Sequence, residues 1–296
     1  MGFADCARRL PLPRLRDHGV DHAEGGDHTR VLVGQRPRPW PTPPVEPADR
    51  ERIGWVSPTY TRTRSVELNP ETMSRNRCVA FRPESADAEA YRVVRARLAQ
   101  RMQERGGNAV MVTSALPGEG KTLTAINLAV TFAKEYHQTV LLVDCDLRKQ
   151  SVHKYLGCPG EKGIIDFLTG NTPVSELVTW PGIEKMTLIS GGRLLHESAG
   201  ILGSPRMRDL VPSMKGRYPD RYLIFDAPPI LAGADVLTLA PLVDKILVVV
   251  QAGRTSMEDV RKALQHLPKD KIMGFVFNRS ASPQVTYYYH DNGKRR

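Results

Sequence analysis

The chain has no apolar run long enough to cross a bilayer, which takes roughly 18 to 20 residues. Its longest, such as Ile246 to Val250, have the length of core strands, so the chain is not expected to span a membrane by itself. Its first residues, MGFADCARRLPLPRLRDHG, lack the continuous apolar core of a secretory signal, and position 6 is cysteine where a myristoylation signal wants Ser or Thr. A cytoplasmic location is the expectation. The four cysteines, Cys6, Cys78, Cys145 and Cys158, form no CxxC pair, which fits reduced thiols rather than a disulfide or zinc framework. An acidic excess is also missing: 42 Lys and Arg face 32 Asp and Glu, for a net charge of +10. Such a balance suits nucleic acid, an anionic membrane face or a plain basic surface. No groove-reading motif accompanies it, and nucleic acid is not an expected partner.

What is present is a globular composition, 41% hydrophobic and 25% charged over 296 residues, distributed unevenly. Residues 1–80 carry Pro11, Pro13, Pro37, Pro39, Pro41, Pro43, Pro44 and Pro47 among mixed charges with few periodic apolar positions. A segment of that kind buries too little surface to offset its ordering entropy, and it reads as a disordered extension. From Ser85 to Arg105, Tyr91, Val94, Leu98 and Met102 recur at helical spacing, and Gly106-Gly107 forms a stop. The polar side of that helix repeats Glu89, Arg92 and Arg95. Beyond it, apolar runs near 110–112, 139–144, 185–190, 222–226, 245–250 and 272–278 alternate with helical patterns. This alternation predicts an α/β fold, a mostly parallel central sheet with helices on both faces, over residues 81–284. Residues 285–296 read as a mobile tail that carries Tyr287, Tyr288 and Tyr289.

The functional signal lies between Val110 and Leu128, VMVTSALPGEGKTLTAINL, where a buried strand, a glycine-rich turn and a helix follow without a gap. Ala115 to Thr122 matches GxxxxGKS/T with alanine in place of the first glycine. Pro117, Gly118, Glu119 and Gly120 shape a loop whose amides turn toward an anion, and the helix that includes Leu123 adds the positive end of its dipole. Lys121 offers a point charge to the β and γ phosphates of a nucleotide, and the Thr122 hydroxyl offers a ligand to Mg²⁺. Two further strands end in acids: LLVDCDLR delivers Asp144 and Asp146, and LIFDAPP delivers Asp226. Carboxyl ends of strands are where a parallel sheet binds ligands. If strand geometry persists past Asp144, Asp144 and Asp146 share one face and Cys145 points into the core. Lysine, hydroxyl and three acids predict phosphoryl transfer from Mg-ATP, with water or a hydroxyl as acceptor.

These motifs resemble the bacterial tyrosine kinases of capsule and exopolysaccharide synthesis, a P-loop family unrelated to eukaryotic protein kinases. SALPGEGKT, LLVDCDLR, LIFDAPP and the Tyr287 to Tyr289 cluster match in order, and Glu89, Arg92 and Arg95 match the family's ExxRxxR helix. The resemblance covers about residues 81–289. It implies that Lys121 holds the phosphates and that Thr122, Asp146 and Asp226 ligate Mg²⁺. Asp144, Asp146 and Asp226 share metal binding and deprotonation of the incoming tyrosine, with Asp144 chosen as base, and Asn278 and Arg279 contact the adenine. It also implies a homo-oligomer, ring-like through the ExxRxxR helix, and phosphorylation of Tyr287, Tyr288 and Tyr289. A membrane-embedded polysaccharide chain-length regulator would act as activator and recruit the chain to the inner face of the plasma membrane, and a tyrosine phosphatase would reset it. The tail departs from many relatives by ending in HDNGKRR after only three tyrosines. Two other readings share the motifs: a partitioning or septum-positioning ATPase, against which the lack of a second lysine in Ala115-Leu116-Pro117 counts, and a nucleotide-gated scaffold.

Overall fold

The structure, a computed structural model, describes residues 63–82, 84–135 and 138–280. The proline-rich stretch 1–62 and the tail with Tyr287, Tyr288 and Tyr289 lie outside the described residues. Strand β1 (Arg64–Ser65) and helix α1 (Pro70–Arg75) come first. Both fall within the stretch whose composition reads as extension, yet Met73, Cys78 and Ala80 are buried there. Asn69 makes α1 possible: its side-chain oxygen accepts from the amides of Glu71 and Thr72, and Pro70 fills the first helical position. Helix α2 (Ala86–Arg105) starts on the Ser85 hydroxyl, which accepts from the Ala88 amide, and stops at Gly106 with φ +72°. Leu98 and Met102 of its expected stripe are buried, together with Ala88 and Ala99, while Tyr91 and Val94 are half-buried.

The chain then alternates. Strand β2 (Ala109–Ser114) leads into α3 (Lys121–Ala133), and β3 (Thr139–Asp144) is followed by the short helices α4 (Val152–Leu156), α5 (Ile164–Thr169) and α6 (Val174–Leu177). Strands β4 (Val178–Trp180) and β5 (Met186–Ile189) precede α7 (Ala199–Leu202) and α8 (Pro205–Arg217). In α8, Met207, Leu210, Val211 and Met214 all face inward, as their spacing predicts. Strand β6 (Arg221–Asp226), α9 (Asp235–Leu239), β7 (Lys245–Gln251), α10 (Met257–Gln265) and β8 (Ile272–Asn278) complete the order. The sheet runs β1-β4-β5-β3-β6-β2-β7-β8. Every neighbouring pair is parallel except β4 with β5. The expected mostly parallel α/β architecture is therefore present.

Side chains alternate across the sheet into two cores. Leu141 and Val143 of β3 and Leu223 and Phe225 of β6 join α5, α8, α9 and α10 on one face. On the other, Val140, Leu142 and Ile224 pack against α1, α2, α3 and α4. Period two then dictates that Asp144 and Asp226 emerge on the α3 side. The register places them directly opposite one another across β3 and β6. At the β8 edge the pairing with β7 slips between Ile246 and Leu247, so one extra residue of β8 is accommodated as a bulge. Past that slip, Asn278 pairs with Gln251, while Phe275 and Phe277 stay exposed.

Candidate active site

The loop between β2 and α3 is built for close approach of an anion. Gly118 and Gly120 hold φ of +84° and +99°, and helix α3 begins directly at Lys121 with Gly120 as its cap. A Cβ on Gly118 would meet open space, whereas one on Gly120 would lie 2.1 Å from Asn278 Nδ2. Glycine is thus required at 120 for both conformation and room. Beyond the loop, α3 is buried except for Leu123, which is half-exposed near its start.

Lys121 and Thr122 meet the acids directly. The Lys121 ammonium lies 2.7 Å from Asp146 Oδ2 and 3.5 Å from Asp226 Oδ1. The Thr122 hydroxyl donates to Asp226 Oδ2 at 2.6 Å, and the Ser151 hydroxyl lies 3.3 Å from Thr122 Oγ1. Asp144 sits deeper. Its Oδ1 accepts from the Asp146 amide and its Oδ2 from the amides of Ser151 and Val152, each at 3.1 Å. Strand geometry ends at Asp144, so Asp146 lies in the following turn rather than on a continued strand. It nevertheless reaches the same cluster. Cys145 is fully buried in the opposite core, and burial pushes its thiol well up.

The electrostatics follow from burial. Asp144 and Asp226 are fully buried, Asp146 and Lys121 nearly so. Desolvation, reinforced by Asp226, pushes the Asp144 carboxyl up to about 8. Desolvation likewise raises Asp226, against the opposing pull of Lys121 and the Thr122 hydrogen bond. For Lys121 burial is the largest single influence and lowers its pKa, but Asp226, Asp146 and Asp144 together outweigh it and the net shift is upward. One cation among three carboxylates leaves an excess of oxygen ligands, the donor set a hard divalent ion prefers. Among the described residues no group of three or more His, Cys, Asp or Glu could hold a metal alone. Mg²⁺ keeps waters and binds through one or two carboxylates plus phosphate oxygens.

Other expected residues stand as follows. Asn278 is at the loop, donating from Nδ2 to the Glu119 carbonyl at 2.8 Å and accepting the Arg279 amide at 2.9 Å. Arg279 has φ +57°, and its guanidinium lies 3.4 Å from Gln251 Oε1. Glu89 and Arg92 pair with each other at 2.6 Å, and Arg95 pairs with Glu135 at 3.0 Å. These three lie on α2, apart from the carboxylate cluster. Sequence reasoning did not single out Ser151, nor the Arg148, Ser198 and Asp235 cluster that braces the turn after β3. There the Arg148 guanidinium lies 3.1 Å from Asp235 and 3.3 Å from Ser198 Oγ. Arg148 stands in LLVDCDLR and was visible; Ser198 and Asp235 come from distant segments with no local signal.

Known proteins resemble this chain in sequence and in fold. The ParA family model, described as NUBPL iron-transfer P-loop NTPase, matches residues 106–286. Tyrosine-protein kinase YwqD of Bacillus subtilis is 34% identical over 221 residues, covering 74% of this chain and 92% of that protein. Tyrosine-protein kinase Wzc of Salmonella typhimurium is 29% identical over 213 residues, 70% of this chain but 29% of its own length. Among solved structures, the kinase domain of the Escherichia coli tyrosine kinase ETK superposes with a TM-score of 0.64 at 26% identity, over 74% of this chain and 91% of that one. The chain belongs to the ParA-type P-loop NTPases and, among them, to the bacterial tyrosine-protein kinases. It is accordingly a protein-tyrosine kinase. It spans most of YwqD and under a third of Wzc.

Proposed function

We propose that the chain transfers the γ-phosphoryl group of Mg-ATP to tyrosines of its own tail, Tyr287, Tyr288 and Tyr289, on a neighbouring copy, and so regulates polysaccharide export. The observation that carries this reading is the convergence on Lys121, whose ammonium lies within 3.5 Å of Thr122, Asp146 and Asp226 at the start of α3, with Thr122 bonded to Asp226. The loop amides of 117–120 and Lys121 bind and orient the phosphates. Thr122, Asp146 and Asp226 hold Mg²⁺, which neutralises charge on the transferring group when bound. Asp144 takes the tyrosine proton: its raised pKa suits a base near neutral pH. Its oxygens already accept three backbone amides, which keeps the carboxylate fixed in place. Asn278 and Arg279, at the end of β8, border the adenine.

The wider setting is proposed on the same family grounds. Relatives bear names that tie them to polysaccharide synthesis, among them the succinoglycan biosynthesis transport protein ExoP of Rhizobium meliloti, 28% identical over 75% of this chain and 28% of its own length. The chain works as a homo-oligomer through α2. A membrane-embedded chain-length regulator activates it and recruits it from the cytoplasm to the inner face of the plasma membrane, and a tyrosine phosphatase reverses its action. No helix among the described residues is long and apolar enough to cross a membrane. The kinase relatives favour this reading over the partitioning ATPase. A mixing experiment tests it: Lys121→Met with an intact tail is incubated with Mg-ATP and an active chain whose tail tyrosines are phenylalanine. Phosphate on the Lys121→Met tail establishes transfer between copies. A tail unmodified in every active mixture removes the proposal.

A further inference from the structure

A carboxylate inside a phosphate loop is an electrostatic liability, since it repels the anion the loop is shaped to hold. Glu119 is such a group, and only 2% of it is exposed. Its two oxygens are taken up by protein donors. Oε2 accepts the Leu116 amide at 2.6 Å, across the loop's first turn. Oε1 accepts the Gln251 amide at 3.2 Å, at the end of β7, together with the Thr255 hydroxyl in the turn before α10. The Glu119 carbonyl receives Asn278 Nδ2 from the end of β8. One residue therefore ties both halves of the loop to the carboxyl ends of β7 and β8.

We propose that Glu119 is a positioning residue for phosphate binding, a clamp that holds the loop in its ligand-ready shape by joining Leu116 to the β7–α10 turn. The residue type follows from the donors. Amides lie at both ends of the carboxylate, so both ends must accept, and glutamine would set an NH₂ group against one of those N–H donors. Thr255, which belongs to the turn and not to the loop, thereby tunes nucleotide affinity. The inference rests on the nucleotide reading of this loop. Its consequence is regulatory: anything that rearranges residues 251–256, or the end of β8 from which the tail departs, changes how well the loop grips phosphate.

The test uses the full chain with Glu119→Gln, Thr255→Val and the double variant. In ligand-free protein, hydrogen exchange should accelerate about tenfold in Glu119→Gln at whichever of the Leu116 and Gln251 amides then faces the NH₂ group, the effect of losing a charged hydrogen bond. Affinity for a fluorescent ATP analogue with Mg²⁺ should fall about tenfold in Glu119→Gln and about threefold in Thr255→Val. The double variant should be no weaker than Glu119→Gln alone, because both remove one clamp. The KM for ATP should rise while kcat at saturation stays within about twofold. Unchanged exchange at both Leu116 and Gln251 overturns the clamp whether or not nucleotide binds, and so do additive losses in the double variant. A wild-type chain that binds no nucleotide instead overturns the parent reading.

Discussion

The charges at the mouth of the sheet and the charges along α2 are the same chemical types put to opposite uses. At the sheet, Lys121 faces Asp146 and Asp226 with side chains at most 10% exposed. On α2, Glu89 and Arg92 pair with 45% and 40% of their side chains in solvent. Burial makes the first group costly, because three carboxylates desolvated beside one lysine lose more hydration than their pairing returns. Exposure makes the second nearly neutral for folding, since such pairs contribute about 0.2 to 1 kcal/mol. A cluster that folding alone would not select, at the ligand-binding ends of the strands, points to chemistry. The exposed pair on α2 gives folding little, and the proposed assembly through that helix is where its charges would count.

The sharpest break of that contrast is Lys121→Met. Loss of the phosphate-binding charge should lower tail labelling by about a thousandfold, on the scale of removing one cation from a phosphoryl-transfer site. Circular dichroism should retain the native spectrum. Persistent labelling would place the site elsewhere. Next comes Asp226→Asn, which removes a buried charge and keeps its shape. Activity should drop about a hundredfold, while urea unfolding of the nucleotide-free chain should show stability equal to wild type or higher. A large stability loss would mean that the cluster is structural after all.

On the α2 side the expected effects are smaller. The pair Arg92→Glu and Arg95→Glu should reduce the assembly mass measured by light scattering, while circular dichroism retains the native spectrum and the thermal midpoint falls by a few degrees, because residue 95 then faces Glu135 with a like charge. An unchanged mass would refute the interface. The smallest effect concerns Asp244, whose Oδ1 lies 2.5 Å from the Lys215 ammonium and whose Oδ2 accepts the amides of Asn108 and Ala109. Burial alone would raise its pKa, but Lys215 and those amides outweigh burial and depress it. The folded value lies below the unfolded one, near 3.9. Its stabilisation is therefore present above about pH 4 and is lost as pH falls through the folded value. Asp244→Asn should lower stability at pH 7 by about 1 kcal/mol and flatten the acid limb of the stability curve.

Much of this was legible from the chain. Six of the eight described strands fall on the expected apolar runs and end within two residues of them, and α8 buries the four residues its spacing names. The loop, Lys121 and Asp226 are local signals, which is why they could be read. Three things could not. Strand β1 is only two residues long and exists because it pairs with β4, so no local pattern announces it. Asp146 was legible as a site acid, but its route to Lys121, from a turn, is one that strand periodicity does not describe. Glu119 reads as a loop residue near the nucleotide, whereas two of its carboxylate's three partners sit 132 and 136 positions away in sequence.

The bulge in β8 decides more than the shape of an edge. Because side chains alternate, one supernumerary residue reverses the parity of everything downstream. Were β8 to run in step with β7, Phe277 would stand opposite Gln251 on the α3 side and Asn278 would turn from the phosphate loop. The insertion thus trades two aromatic rings left in water for an amide delivered to the Glu119 carbonyl. Excising a single residue near Met273 should therefore silence the loop from a distance, with every motif letter intact.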